Sequence, residues 1–363
     1  MSSREALGDV LLVGSLPFET AEESLSNGAT LGSDAAALPD GEVGTRMQWT
    51  GYLPLESYSK HPDLIETHAP TAEMPDPDSG FHPGTEPALL WTFRVKPGVE
   101  SFDFNGIGYA EPAIESYAIF KRLREEGKIA AGVRFQVSLP ATGSAILQYF
   151  DDPEQWPVVE AAYARAIEAE IKAMLEVIPA DDLSIQFDAA VEVCDLSIGD
   201  DLYFTFWPER TYDEKFAYYS GLLTELTRVV PDDVVLGIHW CYGTWGGWPM
   251  EELKDMQLCV DLSNDFVQRA ARQIDYVHMP AVVEADTEFF KPLKDLDIGD
   301  TKVYLGLVHH TDGIDGARTR IAAAREWLPQ FGVAAVCGYG REDPAELNDV
   351  LELNLACARA LAG

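Results

Sequence analysis

Three short stretches, each closing an apolar run, hold residue types that bind soft metals: Gly-Ile-His239-Trp-Cys241, Val-His309-His310 and Val-Cys337-Gly. His239 and Cys241 stand two apart, so on an extended chain both side chains project to the same side. An imidazole with two thiolates suits zinc, and three protein ligands leave one position open to a substrate atom. The same residues have a plainer reading, in which the cysteines are small buried apolar groups and His239 is a hydrogen-bonded core residue. The five cysteines, Cys194, Cys241, Cys259, Cys337 and Cys357, are an odd number without close repeats. That argues against a disulfide framework and fits a reducing compartment.

Other groups could join such a site. Thr311-Asp312 follows His309-His310, and a histidine beside a carboxylate could move a proton near neutral pH. Neighbours on a strand face opposite ways, so one of the two enters the site, and His310 is preferred over His309. Aromatic residues crowd two later segments: Tyr203, Phe204, Phe206 and Trp207, then Trp240, Tyr242, Trp245 and Trp248. They read either as lid and core packing or as a substrate pocket for a flat ring, with Trp207 and Trp240 as its walls. Gly243, Gly246 and Gly247 would let that loop approach a ligand.

The elements that position these residues follow from hydrophobic patterning. Apolar runs at 9–13, 36–39, 133–139, 183–188, 234–240, 276–279, 303–308 and 333–336 read as buried strands. Helical patterns alternate with them. Asp152-Pro-Glu-Gln155 announces one helix, followed at helical spacing by Trp156, Val159, Tyr163, Ala166, Ile167 and Met174; Asp343-Pro-Ala-Glu346 announces the last. Eight strands alternating with helices predict a (β/α)₈ barrel over residues 1–363, whose active site lies at the C-terminal strand ends. Residues 50–112 break the pattern and are read as a long insertion after the second strand, with 89–95 and 102–109 as a hairpin.

Composition narrows the partners. A net charge of −35 repels phosphate, which excludes nucleic acids and anionic membranes as partners. The N-terminus has no basic segment leading into an apolar core, and no apolar run reaches bilayer-spanning length, so a cytoplasmic protein is expected. No glycine-rich phosphate loop follows a strand, which leaves a nucleotide cofactor without support.

Several strand ends together resemble the catalytic barrel of cobalamin-independent methionine synthase and its zinc alkyltransferase relatives, in the same superfamily as uroporphyrinogen decarboxylase. The matching stretches are Val13-Gly14-Ser15-Leu16-Pro17, Asp40-Gly41-Glu42, Ser138-Leu139-Pro140-Ala141-Thr142, Ser184-Ile185-Gln186-Phe187-Asp188, His239-Trp240-Cys241-Tyr242, and Val336-Cys337-Gly338 with Arg341 downstream. The chain is similar to the single catalytic barrel and lacks the synthase's duplicated N-terminal half.

The resemblance implies a zinc-dependent methyl- or alkyl-transferase, with zinc on His239, Cys241 and Cys337 activating a thiol acceptor for attack on an alkyl carbon. It implies substrate contacts from Ser15, Glu42 and Asp188, the last two gripping an amino group, and a donor that could be a pterin. Two departures stand out. The family's glutamate ligand is replaced by the context Asp275-Tyr-Val-His278-Met-Pro280, so a fourth ligand would be His278, Glu284 or a substrate atom. Ala189-Ala190 also stands where the family has Glu-Pro. Other readings are a zinc lyase or hydrolase acting on an aromatic or small oxygenated substrate, a metal-free decarboxylase of the uroporphyrinogen type, and a non-catalytic binding barrel.

Overall fold

The computed structural model describes residues 7–69, 91–198, 209–244, 248–250, 252–340 and 342–362. The apolar runs form strands, in chain order β1 (Val10–Leu11), β2 (Ala37–Pro39), β3 (Leu64–His68), β4 (Thr92–Val95), β5 (Arg134–Pro140), β6 (Leu183–Ala189), β7 (Val235–Trp240), β8 (Tyr276–Pro280), β9 (Lys302–Val308) and β10 (Gly332–Ala335). Eight of these make one parallel sheet in the order β1-β10-β9-β8-β7-β6-β5-β2. A bridge between Val10 and Ala35, with Ala36 N–H donating to Val10 O at 2.7 Å, brings the two edges together. The result is the expected (β/α)₈ barrel. The first strand is much shorter than its apolar run, and Lys302 Nζ reinforces its start by donating to Leu7 O, Gly8 O and Asp9 Oδ1.

Alternation along the strands sorts side chains into two apolar layers. The larger lies between sheet and helices. The smaller fills the barrel with Leu11, Val13, Ala36, Val235, Tyr276, Tyr304 and Ala334. Gly237 is required by this filling, because a Cβ there would stand 2.0 Å from the Tyr276 ring. Polar side chains lie above the tyrosines. Gln136 Nε2 donates to Leu12 O and Val13 O, Gln186 Nε2 donates to Val13 O at 2.6 Å, and Tyr276 OH donates to Gln186 Oε1 at 3.0 Å.

The helix announced by Asp152 runs from Trp156 to Leu175, and every apolar position of its predicted stripe is buried. The helix announced by Asp343 spans Leu347–Ala362, with Leu347, Val350 and Leu351 buried. Among the described residues, no helix is long and apolar enough to cross a membrane.

The insertion departs from expectation. β4 pairs antiparallel with β3, and residues 102–109 form no strand. Gly106 and Gly108 adopt φ of 116° and 84°, outside the extended region. Between and before them, Phe102, Phe104 and Ile107 are each buried in the core as anchors of an irregular segment. That segment ends on Glu170, whose carboxylate accepts the backbone N–H groups of Ile107, Gly108, Tyr109 and Ala110 at 2.5–3.1 Å. Glu170 thereby caps the helix Ala110–Glu125.

Candidate metal centre

Parallel register sets the site. Asp188 on β6 pairs with His239 on β7, which pairs with His278 on β8, so the three project into the barrel at one level. Cys241 lies one pleat further along, with its N–H donating to Ala189 O at 2.9 Å. Cys337 follows β10, in a loop held by Tyr339 N–H donating to Ser15 O at 2.7 Å. A Cβ at Gly338 would sit 2.6 Å from Ser15 Oγ, so the turn after Cys337 and the Ser15 loop fit together only with glycine there. A ring nitrogen of His239 and the sulfurs of Cys241 and Cys337 lie within 4.8 Å of one another.

His239 Nδ1 is 2.6 Å from His278 Nδ1, which leaves Nε2 as the nitrogen open to a metal. That Nε2 is buried and has no hydrogen-bond partner among the described residues. The Cys241 thiol is pushed well up by its hydrogen bond to Cys337 and by burial. A buried thiol, a partly buried one and an imidazole nitrogen without a hydrogen-bond partner among the described residues are a donor set that a soft divalent cation satisfies.

Two carboxyl groups adjoin the cluster. Asp188 accepts from Gln186 Nε2 at 2.8 Å, and burial, with Glu42 and Cys337 nearby, pushes it well above the usual carboxylate range. Burial pushes Glu42 up to about 8, against the pull of Arg46 and with help from Asp40 and Cys337. Glu42 has φ of 53°, the left-handed region that a non-glycine residue enters only under constraint. Asp40 supplies that constraint: it accepts Glu42 N–H at 3.0 Å, Ser116 Oγ at 2.7 Å and both terminal nitrogens of Arg46. Gly14 also leaves room, since a Cβ there would be 3.1 Å from Glu42 Oε1.

Other expected residues lie elsewhere. Both nitrogens of His278 are engaged, Nε2 with Ala335 O at 2.9 Å, so it has none to offer a metal. Glu284 is exposed and stands outside the ligand cluster. Trp240 faces away from the barrel interior: its Nε1 donates to Ser263 Oγ at 2.8 Å and its ring packs on Phe266, as strand alternation between His239 and Cys241 demands. Tyr203, Phe204, Phe206, Trp207, Trp245 and Arg341 lie outside the described residues. His310 is not gathered with His239, Cys241 and Cys337. β9 ends at Val308, and His310 is an exposed residue gathered with Glu342 and Glu346. His309 is half-buried at the rim, 6.4 Å from the Trp248 ring, with Nε2 donating to Ala281 O at 2.8 Å. Burial and Arg320 lower it to about 4. Asp312, the carboxylate that follows the histidine pair, forms a double hydrogen bond with Arg320.

Sequence reasoning missed the polar layer of Gln136, Gln186 and Tyr276, and the Asp40–Arg46 pair behind Glu42. Glutamines at inward positions of apolar strands were the available signal for the first.

No protein-family description and no curated protein matches the chain. Solved structures do. A B12-independent methionine synthase from a Shewanella species, in complex with selenomethionine, superposes with a TM-score of 0.60 at 15% identity, covering 98% of this chain and 97% of that one. A candidate vitamin-B12-independent methionine synthase from Listeria monocytogenes gives 0.55 at 14% identity, covering 92% and 86%. The likeness establishes a shared barrel fold, of similar extent in each.

Proposed function

We propose that the protein is a zinc-dependent methyl- or alkyl-transferase whose acceptor is a small thiol carrying an ammonium group. The convergence of His239, Cys241 and Cys337 carries this reading, supported by a buried His239 Nε2 that has no hydrogen-bond partner among the described residues. Zinc there would hold a substrate sulfur as thiolate near neutral pH, where a free thiol with a pKa of about 8.5 is mostly protonated.

The chain's own groups supply recognition. Burial raises both the Glu42 and Asp188 carboxyls, and Glu42 nearby raises Asp188 further; an ammonium between them would favour the charged form of each. The selenomethionine in the Shewanella structure is an amino acid bearing such an ammonium. Ser15, beside the Cys337 loop, adds a hydroxyl at the mouth. His309 is neutral at pH 7 and its Nε2–H is committed to Ala281, so it presents Nδ1 to a ligand as a hydrogen-bond acceptor.

Metal analysis of freshly purified protein, together with an alkyl-transfer assay using thiols with and without an amino group, tests the reading. About one zinc per chain is expected, lost with activity in Cys241→Ser and Cys337→Ser. Zinc-free wild-type protein whose activity neither substitution changes would overturn it.

A further inference from the structure

We infer that His278 is a positioning residue: its hydrogen bonds to His239 and Ala335 hold His239 in the Nδ1–H form and present the bare Nε2 to Cys241 and Cys337. The inference rests on the zinc reading for its purpose, but its proton arrangement follows from geometry alone.

The Ala335 carbonyl can only accept, so His278 Nε2 carries a hydrogen across the 2.9 Å contact. The two Nδ1 atoms are 2.6 Å apart. One proton must lie between them, because two lone pairs or two N–H groups at that distance repel. Placing it on His278 would make that ring a cation in a side chain that is 0% exposed. It would also leave the hydrogen of His239 on Nε2, a buried donor without an acceptor. An unsatisfied buried donor costs about 1–3 kcal/mol, and an unpaired buried charge costs more. The remaining arrangement puts the proton on His239 Nδ1, donated to His278, and leaves His239 Nε2 bare.

Backbone geometry supports the chain of bonds. The β10–β9 register shifts between Ala334 and Ala335, an irregularity at the carbonyl His278 uses and two residues before Cys337. Bulges re-aim side chains beside sites in this way. His278 therefore ties the strand carrying His239 to the strand delivering Cys337. With both its nitrogens used, the fourth position of the site falls to a substrate atom.

The test uses full-length His278→Gln and His278→Leu beside wild type. Glutamine retains one acceptor and one donor, whereas leucine retains neither. Nitrogen-15 NMR of histidine-labelled, chelator-treated wild type, with His239 assigned by its own substitution, should show His239 protonated at Nδ1. Competition with a chromophoric chelator should show zinc affinity falling about 10- to 100-fold in His278→Leu and only a few-fold in His278→Gln, with both variants folded by circular dichroism. A wild-type His239 protonated at Nε2, or a leucine variant that binds zinc like wild type, would overturn the inference. Should leucine prevent folding, the wild-type NMR and the glutamine variant decide the matter. A wild type that takes no zinc sinks the transferase reading, while the NMR still decides the proton arrangement.

Discussion

Glu42 combines a left-handed backbone, clamped by Asp40, with a carboxyl whose burial makes ionisation costly. A carboxyl with its pKa raised on folding contributes stability that is complete below its unfolded value near 4.5 and is lost as pH rises through about 8. In metal-free, ligand-free protein, Glu42→Gln should therefore melt close to wild type at pH 4.5. Its advantage should widen up to pH 8 and then level off. Calorimetry across that range would contradict the assignment by finding a constant difference. At this scale the meeting of His239 and Cys241 with Cys337 was legible, because a spacing of two on a strand puts the first two side chains on one face and Cys337 closes another strand of the same barrel. Three placements were not legible, for a common reason. Sequence names donors without saying which atoms are already used, so it could not show His278 with both nitrogens bonded, Asp312 held by Arg320, or His310 exposed beside Glu346.

Glu170 shows how one side chain can hold an entire segment. It sits on the helix Trp156–Leu175 and binds four consecutive amides that end the insertion and start the next helix. Glu170→Ala strands those donors, and at about 1 kcal/mol or more each the loss should exceed about 4 kcal/mol. Urea unfolding measures it; a change under about 1 kcal/mol would mean that water replaces the carboxylate. A second element-level expectation concerns β7. Gly237→Ala drives a methyl into the Tyr276 ring and should destabilise by about 3 kcal/mol or more, with part of the loss recovered when Tyr276→Leu is added. Thermal melts of the single and double variants check this. Barrel strands and helices were legible because burial on both sheet faces leaves uninterrupted apolar runs. The insertion was not, since β3 carries exposed Ile65, Glu66 and Thr67 and offers no such run, while 102–109 is apolar yet irregular.

For the whole molecule, 61 acidic against 26 basic residues give the net charge of −35. Self-repulsion of that size opposes the compact state and is screened within about 10 Å at 0.1 M salt. Raising sodium chloride from 20 to about 500 mM should raise the melting temperature by several degrees, as differential scanning calorimetry would show; a flat or falling response would mean that ion pairs offset the repulsion. The near full-length overlap with two barrels of about 15% identity shows how little sequence the fold requires. The barrel's filling has one more consequence. Tyr276 and Tyr304 are fully buried and, with Leu11, Val13 and Val235, plug the interior beneath the site. Among the described residues the barrel interior is thus closed beneath the site, which leaves the C-terminal strand ends as the way in. Two reactants meeting in a well must be loaded in sequence, deeper one first, and the deeper product must wait for the shallower to leave. For the proposed transfer, the thiol bound lowest would enter ahead of the alkyl donor and its alkylated form would depart last, giving ordered kinetics with a product that competes with the thiol alone.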